Sequence, residues 1–110
     1  MSASELDLMQ GTVDVLILRT LVLQPMHGYA IARFVRDRSR GVLVVDSAAL
    51  YQALHRLERR KLVQSSWGTS ENNRRAKFYE LTPSGRTHLR AQRKQLRAYI
   101  DALTLVIDPR

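Results

Sequence analysis

The stretch TVDVLILRTLVL, Thr12 to Leu23, is apolar on almost every side, the pattern of a central helix enclosed by its neighbours. Gly11 or Thr12 is placed to cap it, and Pro25 in QPMHG cannot continue the backbone ladder, so the helix stops there. From Tyr29 to Ser39 the apolar residues Ile31, Phe34 and Val35 share one face while Arg33, Arg36 and Arg38 lie elsewhere. That predicts a second, amphipathic helix, with Gly41 suited to the left-handed residue that closes it. Val42 to Asp46, VLVVD, is short and β-branched and predicts an extended strand. Leu50, Leu54 and Leu57 then recur at i, i+4, i+7 within SAALYQALHRLERRKL, Ser47 to Leu62, giving a third helix with Ser47 as its N-cap.

After Leu62 the period changes. VQSSWG (63–68) and AKFYELT (76–82) read as two strands joined by the polar TSENNRR, a hairpin whose packing falls to Trp67, Phe78, Tyr79 and Leu81. TPSG then opens a last helix, with Thr82 as cap and Pro83 in the first turn, and helical spacing holds to Ile107. Along it Leu89, Leu96 and Leu103 recur every seven residues and Ile100 and Ile107 interleave, the spacing of a coiled-coil seam. Arg93 stands at an otherwise apolar place and weakens that seam toward its N-terminal end. A helix this long needs somewhere to bury its stripe. A second copy of the chain is the expected partner, through Leu89, Leu96, Tyr99, Ile100, Leu103 and Ile107, the alternative being a helix folded back on its own domain. The order of elements is mainly α with a small β-hairpin: a winged helix-turn-helix over residues 1–82 and a long C-terminal dimerisation helix over 83–110.

The chain's 110 residues suffice for one core, and 45% hydrophobic content makes that core achievable. No cysteine is present, which removes disulfides, thiol catalysis and Cys-based zinc sites and fits a cytoplasmic protein. His27, His55 and His88 lack metal-ligand spacing, and no paired carboxylates, nucleophile–base set or glycine-rich phosphate loop occurs. No catalytic residue, metal or cofactor is therefore expected, and the chain does not read as an enzyme. The apolar run from Val15 to Leu23 is broken by Arg19 and Thr20 and is too short to cross a bilayer. MSASELDLMQG does not resemble a secretory signal, and the last helix lacks the Trp and Phe anchors of a membrane-surface helix.

Charge sharpens this picture. The net charge is +8, and residues 33–97 carry sixteen Lys and Arg against five Asp and Glu, while both ends of the chain are slightly acidic. Such a focused excess attracts polyanions, double-stranded DNA first. Opposite the leucine stripe of the third helix lie Ala48, Gln52, His55 and Arg59, with Arg56 beside them. A helix fits the major groove, where Gln pairs with adenine and Arg with guanine, so Gln52, Arg56 and Arg59 carry base-reading chemistry. Ser47 and the free amides of the first turn suit a phosphate, Ala49 permits close approach, and the Tyr51 hydroxyl can reach the backbone. Arg74, Arg75 and Lys77 on the hairpin suit the adjacent backbone or minor groove, the alternative being protection of a strand edge.

GTVDVLILRTLVLQPMHGYAIARFV, ALYQALHRLERRKLV, WG and RRAKFYELTPSG together resemble the PadR family of bacterial transcriptional regulators, from Gly11 to Leu89. The resemblance implies a winged-helix homodimer, usually a repressor, that binds a palindromic operator. It makes the helix from Ser47 the recognition helix and Thr69–Arg75 the wing, and it gives Tyr51 a backbone contact. Many relatives have Pro after that Tyr where this chain has Gln52. Some relatives bind phenolic acids or flat aromatic molecules near the dimer interface, a few through a Trp on the last helix. Here Tyr99 is the aromatic residue of that helix, so a small aromatic effector is a candidate partner whose binding residues stay unassigned. Two rival functions are a winged-helix protein-interaction module and a small-aromatic sensor without operator specificity of its own.

Overall fold

The computed structural model describes residues 10–108. Its elements are α1 (Gln10–Leu21), β1 (Met26–His27), α2 (Gly28–Arg38), α3 (Ser47–Arg59), β2 (Val63–Thr69), β3 (Arg75–Leu81) and α4 (Pro83–Ile107). The core gathers around α1, whose Ile17 and Leu18 are fully enclosed by Ile31 of α2, Leu50, Ala53, Leu54 and Leu57 of α3, and Val63, Tyr79 and Leu81 of the hairpin. This is the winged helix-turn-helix arrangement that the periodicity predicts, with four helices and a small antiparallel sheet.

Two expectations require correction. Val42–Asp46 forms no strand: Val45 is tucked into the core while Val42 and Val44 stay exposed in an irregular connection. β-Propensity needs a partner, and β3 has none to offer, because β2 occupies one of its edges and the two-residue β1 the other. The N-cap of α3 is Asp46, whose carboxylate accepts from the Ala49 amide at 3.2 Å, and Ser47 is the first helical residue.

Other boundaries follow their local chemistry. After the C-cap Ser39, Arg40 takes the left-handed conformation at φ +56° and Gly41 follows at φ +80°. The Arg40 amide donates to the Asp37 carbonyl at 3.1 Å and the Gly41 amide to the Arg36 carbonyl at 2.7 Å, closing α2. Thr82 caps α4 by accepting from the Gly85 amide at 3.0 Å, while its own hydroxyl donates to the Lys61 carbonyl at 2.8 Å. That bond fastens the start of α4 to the end of α3. Leu89, expected at the seam between copies, is buried within the single chain, so the first turns of α4 belong to the domain core.

Candidate nucleic-acid interface

The leucine face of α3 fixes which way its other face points. With Leu50, Ala53, Leu54 and Leu57 buried, Ala48, Tyr51, Gln52, His55 and Arg59 form a continuous exposed surface, and Ser47 is exposed at its N-terminal end. Ala49 is half-buried on the flank. Tyr51 lies across the N-terminus of α2: a Cβ at Gly28 would stand 2.6 Å from its hydroxyl oxygen and 2.7 Å from the ring carbon that bears it. Only the absent side chain of Gly28 allows that approach.

Arg56 sits differently. Its Nη2 donates to Asp14 Oδ1 of α1 at 2.7 Å, with side-chain exposures of 26% for Arg56 and 10% for Asp14. The sequence reading gives this guanidinium to a base edge; in the structure it pairs with the buried Asp14 and braces α3 on α1, while Arg56 still borders the outward face of α3. Lys77 is likewise engaged. Its ammonium lies 3.4 Å from Glu58 Oε1 and 5.7 Å from the centre of the Tyr79 ring, so it ties the wing to α3. Glu58 also accepts from the Ser65 hydroxyl of β2. That hydrogen bond, helped by the nearby Lys77 charge and opposed by partial burial, holds the Glu58 carboxyl below its ordinary value.

The wing is a tight hairpin. Ser70 and Arg74 are joined by a 2.8 Å amide–carbonyl bond, and Asn73 turns the chain with φ +58°. Arg74 and Arg75 are exposed and, among the described residues, pair with no acid. Trp67, assigned to hairpin packing by the sequence, is 62% exposed. Arg75 faces Thr69 across the ladder, two residues along from Trp67, and this diagonal brings its guanidinium 4.8 Å from the indole centre. The indole thus holds the arginine in a defined direction.

Sequence reasoning also passes over His27 and Tyr29. His27 Nδ1 accepts from the Ala30 amide at 3.2 Å and so caps α2, which places the proton of the neutral ring on Nε2. Nε2 faces Glu71 of the wing at 3.6 Å, beyond hydrogen-bond length, and the ring packs edge-on against Phe78. Histidine is not a favoured N-cap type, and the helical pattern starts two residues later at Tyr29, so no sequence signal marks this cap. Exposed Tyr29, Tyr51 and Trp67 line, with Arg74 and Arg75, a groove of about 490 Å³ between the helices and the wing. A cationic wall with aromatic edges, beside a helix that presents Gln52 and Arg59, suits a duplex lying along α3 with its backbone against the wing.

The described residues hold no cluster of three or more metal-ligating side chains, and none of their helices is long and apolar enough to cross a membrane. On α4, Leu96 rests partly on the core, while Tyr99, Ile100, Leu103 and Ile107 are exposed, together with Leu105 and Val106.

The profile of the transcriptional regulator PadR-like family matches residues 17–91. An uncharacterised protein of Lysinibacillus sphaericus is 26% identical over 83 residues, 76% of either chain. Among solved structures, a transcriptional regulator from Clostridium thermocellum is similar with a TM-score of 0.80 and 26% identity, covering 91% of this chain and 94% of that one. A PadR family regulator from Clostridium difficile gives 0.71 and 29%, covering 86% and 96%, and one from Eggerthella lenta gives 0.77 and 27%, covering 96% and 89%.

Proposed function

The chain belongs to the PadR-like family of transcriptional regulators, which are regulators and not enzymes, and on that premise we propose that it is a homodimeric repressor of a palindromic operator. The observation that carries this reading is the unbroken exposed face of α3, set beside a wing whose two leading arginines have no acidic partner among the described residues. Gln52 reads a base edge in the major groove, with adenine as its natural partner. Arg59 and His55 contribute further along the same face. The Ser47 hydroxyl and the Ser47 and Ala48 amides, beside the Asp46 cap that takes the Ala49 amide, receive a phosphate at the N-terminus of α3. Ala49 permits close approach, and the Tyr51 hydroxyl donates to the neighbouring phosphate. Arg74 and Arg75 meet the backbone or enter the minor groove. Arg56 and Lys77 hold the parts in register through Asp14 and Glu58.

Two copies join through the last turns of α4, where Ile100, Leu103 and Ile107 give one exposed apolar edge flanked by Tyr99. Isolated apolar residues on a surface are ordinary, but a run of this kind on a projecting helix calls for a partner. The dimerising part therefore begins near Leu96, because Gly85 and Leu89 are already buried. A small apolar groove between α1 and α4, lined by Val15, Leu96 and Tyr99, supports a small aromatic effector near that interface. The regulator works in the cytoplasm, where bacterial DNA lies.

Selection of binding sites from random duplex tests this. The expected product is a two-fold symmetric sequence with half-sites one helical turn, roughly 34–36 Å, or a multiple apart. Placed ahead of a reporter gene, that sequence should lower expression when the protein is present. Gln52→Ala should relax preference at one position in each half-site, by about 1–3 kcal/mol. Arg75→Ala should weaken all sequences alike and flatten the salt dependence by about one charge per protomer. Equal binding to selected and scrambled duplexes would instead leave a protein-interaction module.

A further inference from the structure

The third helix and the wing leave one strongly charged surface unused. Along α4, Arg86, Arg90, Arg93, Lys94 and Arg97 are all exposed, and no acidic residue stands between the first and the last of them. At roughly 100° per residue they fall within an arc of about 100° that runs along one side of the stripe of Leu89, Leu96, Ile100 and Ile107, Arg93 lying nearest to it. Asp101 ends the row. Four of the five border a groove floored by Leu96 and Ile100. Among the described residues none of the five is within ion-pair distance of a carboxylate, whereas Arg33, Arg36, Arg56 and Lys77 all are.

This spacing is unfavourable for a solitary helix. Arg86 and Arg90, Arg90 and Lys94, and Arg93 and Arg97 are four apart, and Arg90 and Arg93 are three apart, so each pair repels on the helix surface. An ordinary solvated face alternates signs. A row kept at the cost of that repulsion fits an extended anion, and duplex DNA carries one charge per roughly 1.7 Å of its axis. The row is also joined to the proposed DNA-facing surface. Arg59, Arg60 and Lys61 are exposed at the C-terminal end of α3, and the Thr82 hydroxyl bonds the Lys61 carbonyl at the point where α4 starts.

We propose that the arginine row of α4 is a second, sequence-independent contact surface for the phosphate backbone of DNA flanking the operator. This rests on the reading of α3 and the wing as a DNA interface and extends it: α3 and the wing select the site, and the row adds affinity for duplex that continues beyond it. A partner protein with an acidic segment is the competing occupant. DNA is favoured because the row continues the basic track from α3.

The test compares the full chain with its Arg86→Gln, Arg90→Gln, Arg97→Gln variant on random-sequence duplexes, by fluorescence anisotropy across a salt series. One duplex is about 20 bp, near the span of two half-sites a helical turn apart, and the other about twice that. The variant should melt no lower than the parent, since repulsion is removed, and sediment identically. On the long duplex the dimer loses three contacts per protomer, so its plot of log K against log salt should be shallower by about 5.4 and its affinity should fall roughly 1,800-fold less between 50 and 200 mM salt. On the short duplex the two proteins should coincide. Equal slopes on the long duplex overturn the proposal, as does an equal loss on both lengths. Competition by polyglutamate that depends on these arginines, with unchanged DNA slopes, assigns the row to an acidic protein. A parent chain that binds neither duplex defeats the DNA reading itself, which is a separate failure.

Discussion

Breaking the Arg56–Asp14 pair separates a brace from a base reader. Asp14 lies on the central helix with only a tenth of its side chain exposed, and its Oδ1 takes a 2.7 Å bond from Arg56 of α3. Two unit charges about 4 Å apart attract by about 4 kcal/mol at an effective dielectric of 20. Desolvation of both groups offsets much of that. Removing one partner is still costly, because the other stays behind in a poor solvent. Arg56→Ala strands the enclosed carboxylate, and about 3 kcal/mol is expected, at the low end for a buried pair because Arg56 keeps a quarter of its exposure. Asp14→Asn keeps shape and an acceptor and should cost about 1–2 kcal/mol, the guanidinium being free to turn outward.

Urea unfolding of the parent, both single variants and the double variant measures the coupling directly. The double variant should be less destabilised than the sum of the singles by about 1–2 kcal/mol. Site selection supplies the second arm. Arg56→Ala that still folds should return the parental sequence, with affinity lowered uniformly through a looser α3. An Arg56→Ala protein of parental stability that loses preference at a single base pair would refute the bracing role and restore the guanidinium to the groove.

Three further outcomes follow from neighbouring contacts. Gly28→Ala pushes a methyl group into the Tyr51 ring, so it should weaken DNA binding while costing about 1 kcal/mol of stability; in a Tyr51→Ala background it should leave binding unchanged. Glu58 has its native pKa lowered, so its contribution is complete above the unfolded value near 4.5 and is lost as pH falls through the lower native value. Urea midpoints measured from neutral pH downward should therefore drop on acidification below 4.5, and Glu58→Gln should flatten that part of the curve. Leu103→Glu should yield a folded monomer by sedimentation velocity, whereas Leu89→Ala, at a fully packed position, should cost about 2–5 kcal/mol and leave assembly to whatever fraction stays folded. A Leu103→Glu dimer would move the interface off this edge of α4.

What was legible in the chain was whatever repeats at short range. The i, i+4, i+7 leucines of α3 specify both its existence and its outward face, and Thr82-Pro83 specifies the start of α4. What was not legible depends on partners brought from afar. Met26 and His27 become a strand only because Tyr79 and Phe78 of β3 stand opposite them. Asp46 and Ser47 are equally good caps in isolation, and burial of Val45 decides between them by setting where the helix begins. Asp14 is 42 residues from Arg56, though a lone acid on the largely apolar first half of α1 is a hint that some cation must come to it. Trp67 shares the face of buried Val63 but stands near the tip of the hairpin, past the edge of the core, and only the ladder register shows that Arg75 lies diagonal to it. The consequence is chemical. Sequence supplies an inventory of cations, and the fold sorts it. Asp14 engages Arg56 and Glu58 engages Lys77, so on the proposed reading base recognition falls chiefly to Gln52, a neutral residue, while Arg74 and Arg75, which among the described residues pair with no acid, are assigned to the DNA backbone or minor groove. Specificity and affinity are thereby carried by different side chains. Salt should strip the second while leaving the ratio between right and wrong sequences nearly constant, because counterion release depends on phosphates neutralised and not on which bases lie between them.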